Sequence, residues 1–182
     1  MDRVLRRRLE ARFGDRLTAP IHQRHDTTEI RIAAADVTSV MQALHDEPEF
    51  EFGMLVDLAG VDTGNQLQVV YHLWSRRTTD WLRVIADGLP REDPRVPSLT
   101  GLWPGTEWME RECYDMFGIV FEGNRDLRRI YMPPDYTSFP LRKDFYLPDD
   151  AARAPGEGVR HMEQTHAPRS ATPSVVRRTV KA

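Results

Sequence analysis

Hydrophobic side chains recur along this chain with two different periods, and the switches between them mark out its elements. Over residues 1–17, Val4, Leu5, Leu9 and Phe13 fall at helical spacing and Gly14 offers a stop, which predicts a first helix. Thr28-Glu29-Ile30-Arg31-Ile32 alternates polar and apolar as a half-buried strand does. Asp36 then stands where an N-cap belongs, ahead of Val37, Val40, Met41 and Leu44 on one helical face. A period of two returns in Phe52, Met54, Val56 and Leu58, in Leu67, Val69, Tyr71 and Leu73, and in Leu82, Val84 and Ala86. Asp62-Thr63-Gly64-Asn65 and the stretch 75–80 read as the turns between those strands. Links this short favour antiparallel neighbours, because a parallel return needs a crossover of about a dozen residues or more. The expectation is an α+β fold, a mostly antiparallel sheet of about four strands with packing helices.

Past Pro97 the helical period resumes, with a break at Trp103-Pro104-Gly105 and a restart at Thr106. Met109, Cys113, Met116 and Phe117 form an apolar stripe suited to packing on a sheet, and Gly118 is placed as the left-handed cap that ends the helix. Beyond Phe121 the periodicity is lost, and Pro133-Pro134, Pro140 and Pro148 exclude continuous helix or central strand. The division that follows is an α+β domain over 1–121, an extended partner-docking arm over 122–149 and a disordered tail over 150–182, poor in large apolar side chains. The arm, about 28 residues, has the reach to span up to roughly 90 Å.

Charge and composition narrow the chemistry. In 182 residues the formal net charge is −3, so no global field gathers nucleic acid or anionic lipid. The single cysteine, Cys113, excludes an intrachain disulfide and cannot alone hold zinc or an iron–sulfur cluster, which fits a reducing compartment. No apolar run is long enough to cross a bilayer, and the arginine-rich start carries Asp2, Glu10 and Asp15, unlike an acid-poor presequence. Glu107, Glu110, Glu112 and Asp115 have the types of an acid/base cluster. Helical spacing gives the bland reading instead, in which Arg111 pairs with Glu107 and Asp115 four residues to either side. His161 and His166 are offset by five residues and share no helix face for a metal. No G-x-G-x-x-G or Walker loop is present. Arg128-Arg129 and Arg142-Lys143, interleaved with Tyr131, Tyr136, Phe139 and Phe145, have the pattern of a nucleic-acid platform. Glu122, Asp126, Asp135 and Asp144 weaken the field a phosphate backbone needs, and the same residue types suit a protein interface.

The run ERECYDMFGIVFEGNRDLRRI from Glu110 to Ile130 resembles the C-subunit family of NADH–quinone oxidoreductase, respiratory complex I. That family couples E-R-E-x-x-D-x-[FY]-G-I to F-x-G-x-x-D-L-R-R-I. Pro140 to Phe145 matches its P-L-R-K-D-F element, and Val96 to Trp108 its V-P-S…L-W-P…W segment. Residues 56–62 and 69–73 resemble its strand pair, so the likeness spans roughly residues 50–147. The chain departs from it at Gly123-Asn124-Arg125-Asp126, where the family usually has G-H-P-D, and at Ser138-Phe139.

The resemblance implies a non-catalytic, cofactor-free subunit of the peripheral arm, with FMN and iron–sulfur clusters in partner subunits. Its implied partners are the large quinone-site subunit and the terminal iron–sulfur-cluster subunit of complex I. Membrane contact would come only through the assembled complex, at the cytoplasmic face of the inner membrane, with no nucleic acid. The residues implied to anchor the arm or meet a partner are Glu110, Arg111, Glu112, Asp115, Asp126, Arg128, Arg129, Arg142, Lys143 and Asp144. Arg128, Arg129, Arg142 and Asp144 are expected in charge-paired contacts. Two alternatives stand beside this one. The first is the equivalent subunit of a membrane-bound nickel–iron hydrogenase or of a complex I variant fed by ferredoxin or another donor. The second is a nucleic-acid-binding module.

Overall fold

A computed structural model describes residues 3–146. The tail over 150–182, with His161 and His166, lies outside the described residues. The order is α1 (Arg3–Phe13), β1 (His22–Arg24), β2 (Thr27–Ala33), α2 (Val37–Asp46), β3 (Met54–Asp62), β4 (Leu67–Trp74), β5 (Trp81–Leu89), β6 (Arg95–Pro97), α3 (Thr106–Phe117) and β7 (Val120–Glu122). Five strands form one sheet in the order β1-β2-β5-β4-β3, and β6 and β7 form a second, two-stranded sheet. The α+β class therefore holds, with one more strand in the main sheet than expected.

The short turns give antiparallel β3–β4 and β4–β5 pairs, as chain length dictates. In the first turn the Gly64 N–H donates to the Asp62 carboxylate at 2.7 Å, and Gly64 takes a positive φ of 98°. Strand β2, in contrast, pairs parallel to β5. Its link to β3 runs through α2, long enough to carry the chain across two strands, so the return along the same direction costs no strained turn.

Core packing follows the predicted faces where the period is unbroken. Leu67, Val69, Tyr71, Leu73, Leu82, Val84 and Ala86 are fully buried, and so are Val37, Val40, Met41 and Leu44 of α2. Leu5, Leu9 and Phe13 of α1 join them, whereas Val4 points outward. Strand β3 departs from the expected phase. Phe52 and Leu58 are buried as the alternation predicts, but Met54 is 50% exposed with Leu55 buried instead, and the bulge between Leu55 and Asp57 restores the phase at Leu58. Asp36 also differs: it ends a 3-10 turn over Ala34–Asp36, makes no side-chain cap, and its carbonyl accepts from Ser39 Oγ at 3.1 Å.

The outward face of the sheet carries charges in cross-strand register. Glu29 is 3% exposed there because Arg24, Arg31 and Arg83 surround it at 3.3–3.5 Å. The stretch 98–105 is not helical as predicted but a set of turns, in which the Leu102 and Trp103 N–H groups both donate to the Leu99 carbonyl at 2.9 Å. Helix α3 then packs its Cys113 and Phe117 against β3, the Phe117 ring lying over Gly60 where a Cβ would collide with it. Gly118 ends the helix at φ 73°, its N–H donating to the Tyr114 carbonyl at 2.8 Å. Residues 123–146 hold no helix or strand and return across the end of α3, with the Leu141 N–H bonded to the Met116 carbonyl at 3.1 Å.

Candidate functional site

Helix α3 buries charge as well as apolar surface: Glu110, Arg111 and Asp115 are all within 5% of full burial. Burying charge is costly unless each group is satisfied, so the partners say what the helix is for. Glu110 Oε1 accepts from the Leu99 N–H at 2.7 Å, and its Oε2 accepts from Ser98 Oγ and Asn124 Nδ2, both at 2.8 Å. One carboxylate thereby ties the loop after β6 to the loop after β7. Burial raises its pKa, against the lowering effect of these donors. Asn124, where the chain departs from the family pattern, also accepts the Asp126 N–H on its Oδ1 at 2.9 Å and so shapes the turn.

Arg111 does not serve as the surface partner of Glu107 and Asp115 that helical spacing predicts. Its guanidinium reaches across to the arm, donating to the carbonyls of Arg128 at 3.2 Å and Arg129 at 3.4 Å, with Asp126 at 3.9 Å and the Trp108 ring 4.7 Å away. The reason is direction: 7% side-chain exposure points this residue inward, and the arm's carbonyls need a donor there.

Asp115 is fully buried and holds the arm most tightly. Its Oδ2 accepts three consecutive backbone N–H groups, from Ile130 at 3.0 Å, Tyr131 at 2.6 Å and Met132 at 2.9 Å. Its Oδ1 accepts from Arg129 Nη1 at 2.6 Å. Burial alone would raise the Asp115 pKa, but the three N–H groups and Arg129 outweigh it and hold the carboxyl below its ordinary value. Arg129 is itself 9% exposed, stacks on Phe139 at 5.2 Å and donates to the Ser138 carbonyl at 3.2 Å.

A second clasp lies at the far end of the arm. Arg142 donates to the Phe117 carbonyl at 2.6 Å and the Arg91 carbonyl at 2.9 Å and lies on the Phe139 ring at 4.7 Å. The Lys143 N–H donates to Asp62 Oδ2 at 2.8 Å, and Asp144 meets Arg91 at 3.0 Å. Arg91 also pairs with Asp62. Of the four residues expected in charge-paired contacts, Arg128 meets Asp126, Arg129 meets Asp115 and Asp144 meets Arg91, while Arg142 binds carbonyls instead. Glu112 is exposed, with only the Tyr131 hydroxyl donating to it at 3.4 Å, and the Lys143 side chain is exposed too.

Four residues of these clasps escaped the sequence reading: Asp62, Arg91, Ser98 and Asn124. Asp62 carried a signal, a turn aspartate before Gly64, but only as a local turn former. Ser98 and Asn124 are separated from Glu110 by 12 and 14 positions and have no periodic signature. Cys113 is 2% exposed, and burial pushes its thiol well up, the opposite of an activated nucleophile. Among the described residues, no group of three or more His, Cys, Asp or Glu side chains is placed to hold a metal ion. No described helix is long and apolar enough to cross a membrane.

This arrangement has relatives. A family model described as respiratory-chain NADH dehydrogenase, 30 Kd subunit, matches residues 30–151. The C subunit of the NADH-quinone oxidoreductase of Roseiflexus sp. (strain RS-1) is 42% identical over 145 residues, covering 77% of this chain and 81% of the relative. The protein of the same name from Dechloromonas aromatica (strain RCB) is 37% identical over 192 residues, covering 96% and 92%. Among solved structures, a chain of the membrane-bound sulfane sulfur reductase, an archaeal respiratory membrane complex, superposes with a TM-score of 0.65 at 22% identity, covering 81% of this chain and 88% of that one. That last likeness is one of fold.

Proposed function

We propose, from the premise that this chain belongs to the 30 Kd subunit family of respiratory-chain NADH dehydrogenase, that it is a non-catalytic, cofactor-free subunit of the peripheral arm of a proton-pumping NADH–quinone oxidoreductase. The observation that carries this reading is how Glu110, Arg111 and Asp115 are used. Their polar atoms bind the chain's own loops and arm. A helix used in this way is a support, and what it supports, among the described residues, is the segment 122–146.

In this reading the α+β domain over 1–121 is the body and the arm is the docking element, fastened at two points. The arm lies beside the large quinone-site subunit and the subunit that bears the terminal iron–sulfur cluster. Electrons pass from NADH through FMN and iron–sulfur clusters to quinone in the partner subunits. Glu110, Arg111, Asp115, Asp126, Arg129 and Arg142 shape the arm from within, and Glu112, Arg128, Lys143 and Asp144 are available to a partner on its surface. The chain reaches the membrane only through the complex, on the cytoplasmic side of the inner membrane.

The test is purification of the tagged chain from its host in mild detergent, followed by mass spectrometry of what accompanies it. The quinone-site and terminal-cluster subunits in constant proportion, together with NADH-to-quinone activity in the preparation, are expected. A chain that elutes alone, or with a large subunit retaining nickel-ligand cysteines, refutes the assignment.

A further inference from the structure

Helix α3 spends one side on the core and the arm, and the two most exposed large apolar groups of the described residues belong to its outward side and to the arm. Tyr131 is 65% exposed and Trp108 is 62% exposed. Glu112 lies one turn after Trp108 on the same helix face, and the Tyr131 hydroxyl donates to its Oε2 at 3.4 Å. A further turn on, the Met116 carbonyl holds the N–H of Leu141, itself 55% exposed. Trp108, Glu112 and Met116 thus follow one line along the helix, with the Tyr131 hydroxyl bonded to the second and the Leu141 backbone to the third.

These anchors are held before anything docks. Arg111 stacks on Trp108 at 4.7 Å, and the Tyr131 N–H is bonded to Asp115 at 2.6 Å. Aromatic groups fixed in this way lose little freedom on binding, the property of interface hot spots. Glu112, one turn after Trp108, has no cation within ion-pair distance among the described residues, and only the Tyr131 hydroxyl donates to it. The neighbouring buried arginines are committed elsewhere, Arg111 to carbonyls and Arg129 to Asp115. Arg125 lines a cavity with Glu107 but makes no ion pair with it.

We propose that the exposed side chains of Trp108, Glu112, Tyr131 and Leu141 dock a basic surface of a neighbouring subunit, which sets a lysine or arginine side chain against Glu112 beside Trp108. The proposal rests on the assignment of this chain to a multisubunit complex and adds the chemistry of one contact. An acid covered by a partner must be paired to avoid a large desolvation cost, and tryptophan is the best aromatic platform for a cation. An acidic or purely apolar partner would leave Glu112 covered and unpaired.

The test uses the assembled complex from the host, with p-benzoyl-phenylalanine placed at position 108, photo-crosslinking and mass-spectrometric mapping. The expected product joins position 108 to a lysine- or arginine-bearing segment of another subunit. Glu112→Arg is expected to lower its yield about tenfold, and reversal of the mapped cation to glutamate to restore it. Glu112 is exposed, so this substitution leaves the fold intact, which circular dichroism checks. Co-purification of the other subunits with crosslinks only within the chain, to a second copy of it or to an acidic or uncharged segment overturns the proposal and spares the assignment. An unchanged yield in Glu112→Arg overturns it as well. A chain that co-purifies with no other subunit brings down both.

Discussion

Replacing Arg129 by alanine removes the cation from a carboxylate that has no access to water. Asp115 is 0% exposed and Arg129 9%, with 2.6 Å between the paired atoms. Breaking such a pair from one side costs about 3–5 kcal/mol. The lower end applies here, because the N–H groups of Ile130, Tyr131 and Met132 stay on Asp115 and keep it partly solvated. The loss includes the bond from Arg129 to the Ser138 carbonyl and the stacking on Phe139. A cost of about 3 kcal/mol concentrated on the arm corresponds to roughly two decades in the opening equilibrium. Hydrogen exchange on the full chain is the assay, read at the amides of residues 130–132. Their protection is expected to fall about a hundredfold in Arg129→Ala while the strands β4 and β5 keep theirs, since the arm opens locally. The variant also loses the opposing charge that helps hold Asp115 low, so its arm opens at a higher pH than in the parent. For the parent the sign is fixed by that depressed pKa: the stabilisation is complete above the ordinary aspartate value near 3.9 and is lost as pH falls through the lower folded value. Protection of residues 130–132 within threefold of the parent would refute the reasoning, because it would mean that the buried acid needs no cation.

Three further outcomes follow from the same geometry. Gly118→Ala places a Cβ 2.6 Å from the Phe139 ring at a positive φ, and about 2–3 kcal/mol of destabilisation is expected in urea titration; a midpoint equal to the parent's would show the helix end to be yielding. Cys113 is expected to resist a thiol reagent in the native chain and to react fully in denaturant, and rapid native labelling would contradict its burial. His72 accepts the Arg83 Nε–H at 3.0 Å, and burial followed by the Arg83 charge lowers its pKa, so the unfolded state takes the proton first. The urea midpoint is expected to fall more steeply in the parent than in His72→Gln as pH drops below about 6.5, and parallel curves would refute it.

Residue patterns carried the strands β4 and β5 and the inner face of α2 without correction, because each residue there contributes by itself to an alternation that burial on one face rewards. Gly118 was equally readable, since the left-handed cap follows from the absence of a Cβ. Strand β3 was read out of phase at Met54 and Val56, because the bulge between Leu55 and Asp57 adds a residue that only the register with β4 reveals. Arg111 shows the limit most sharply. Four-residue spacing offers two acids, yet the side chain faces inward, where carbonyls 17 and 18 positions away are the groups that need a donor.

Sequence alone therefore determined the longer helices and strands, the ends of α3 and the family resemblance, all of which depend on residues a few positions apart or on their order, and it missed the short strands β1, β6 and β7. Tertiary structure decided the parallel pairing of β2 with β5 and the fastening of the arm. Its contacts include the one between Asp62 and Lys143, 81 positions apart. The physical reason is that a buried charge must be satisfied by whatever the fold brings to it. Asp115 is met by Arg129 and three backbone amides, a set that no spacing along the chain announces.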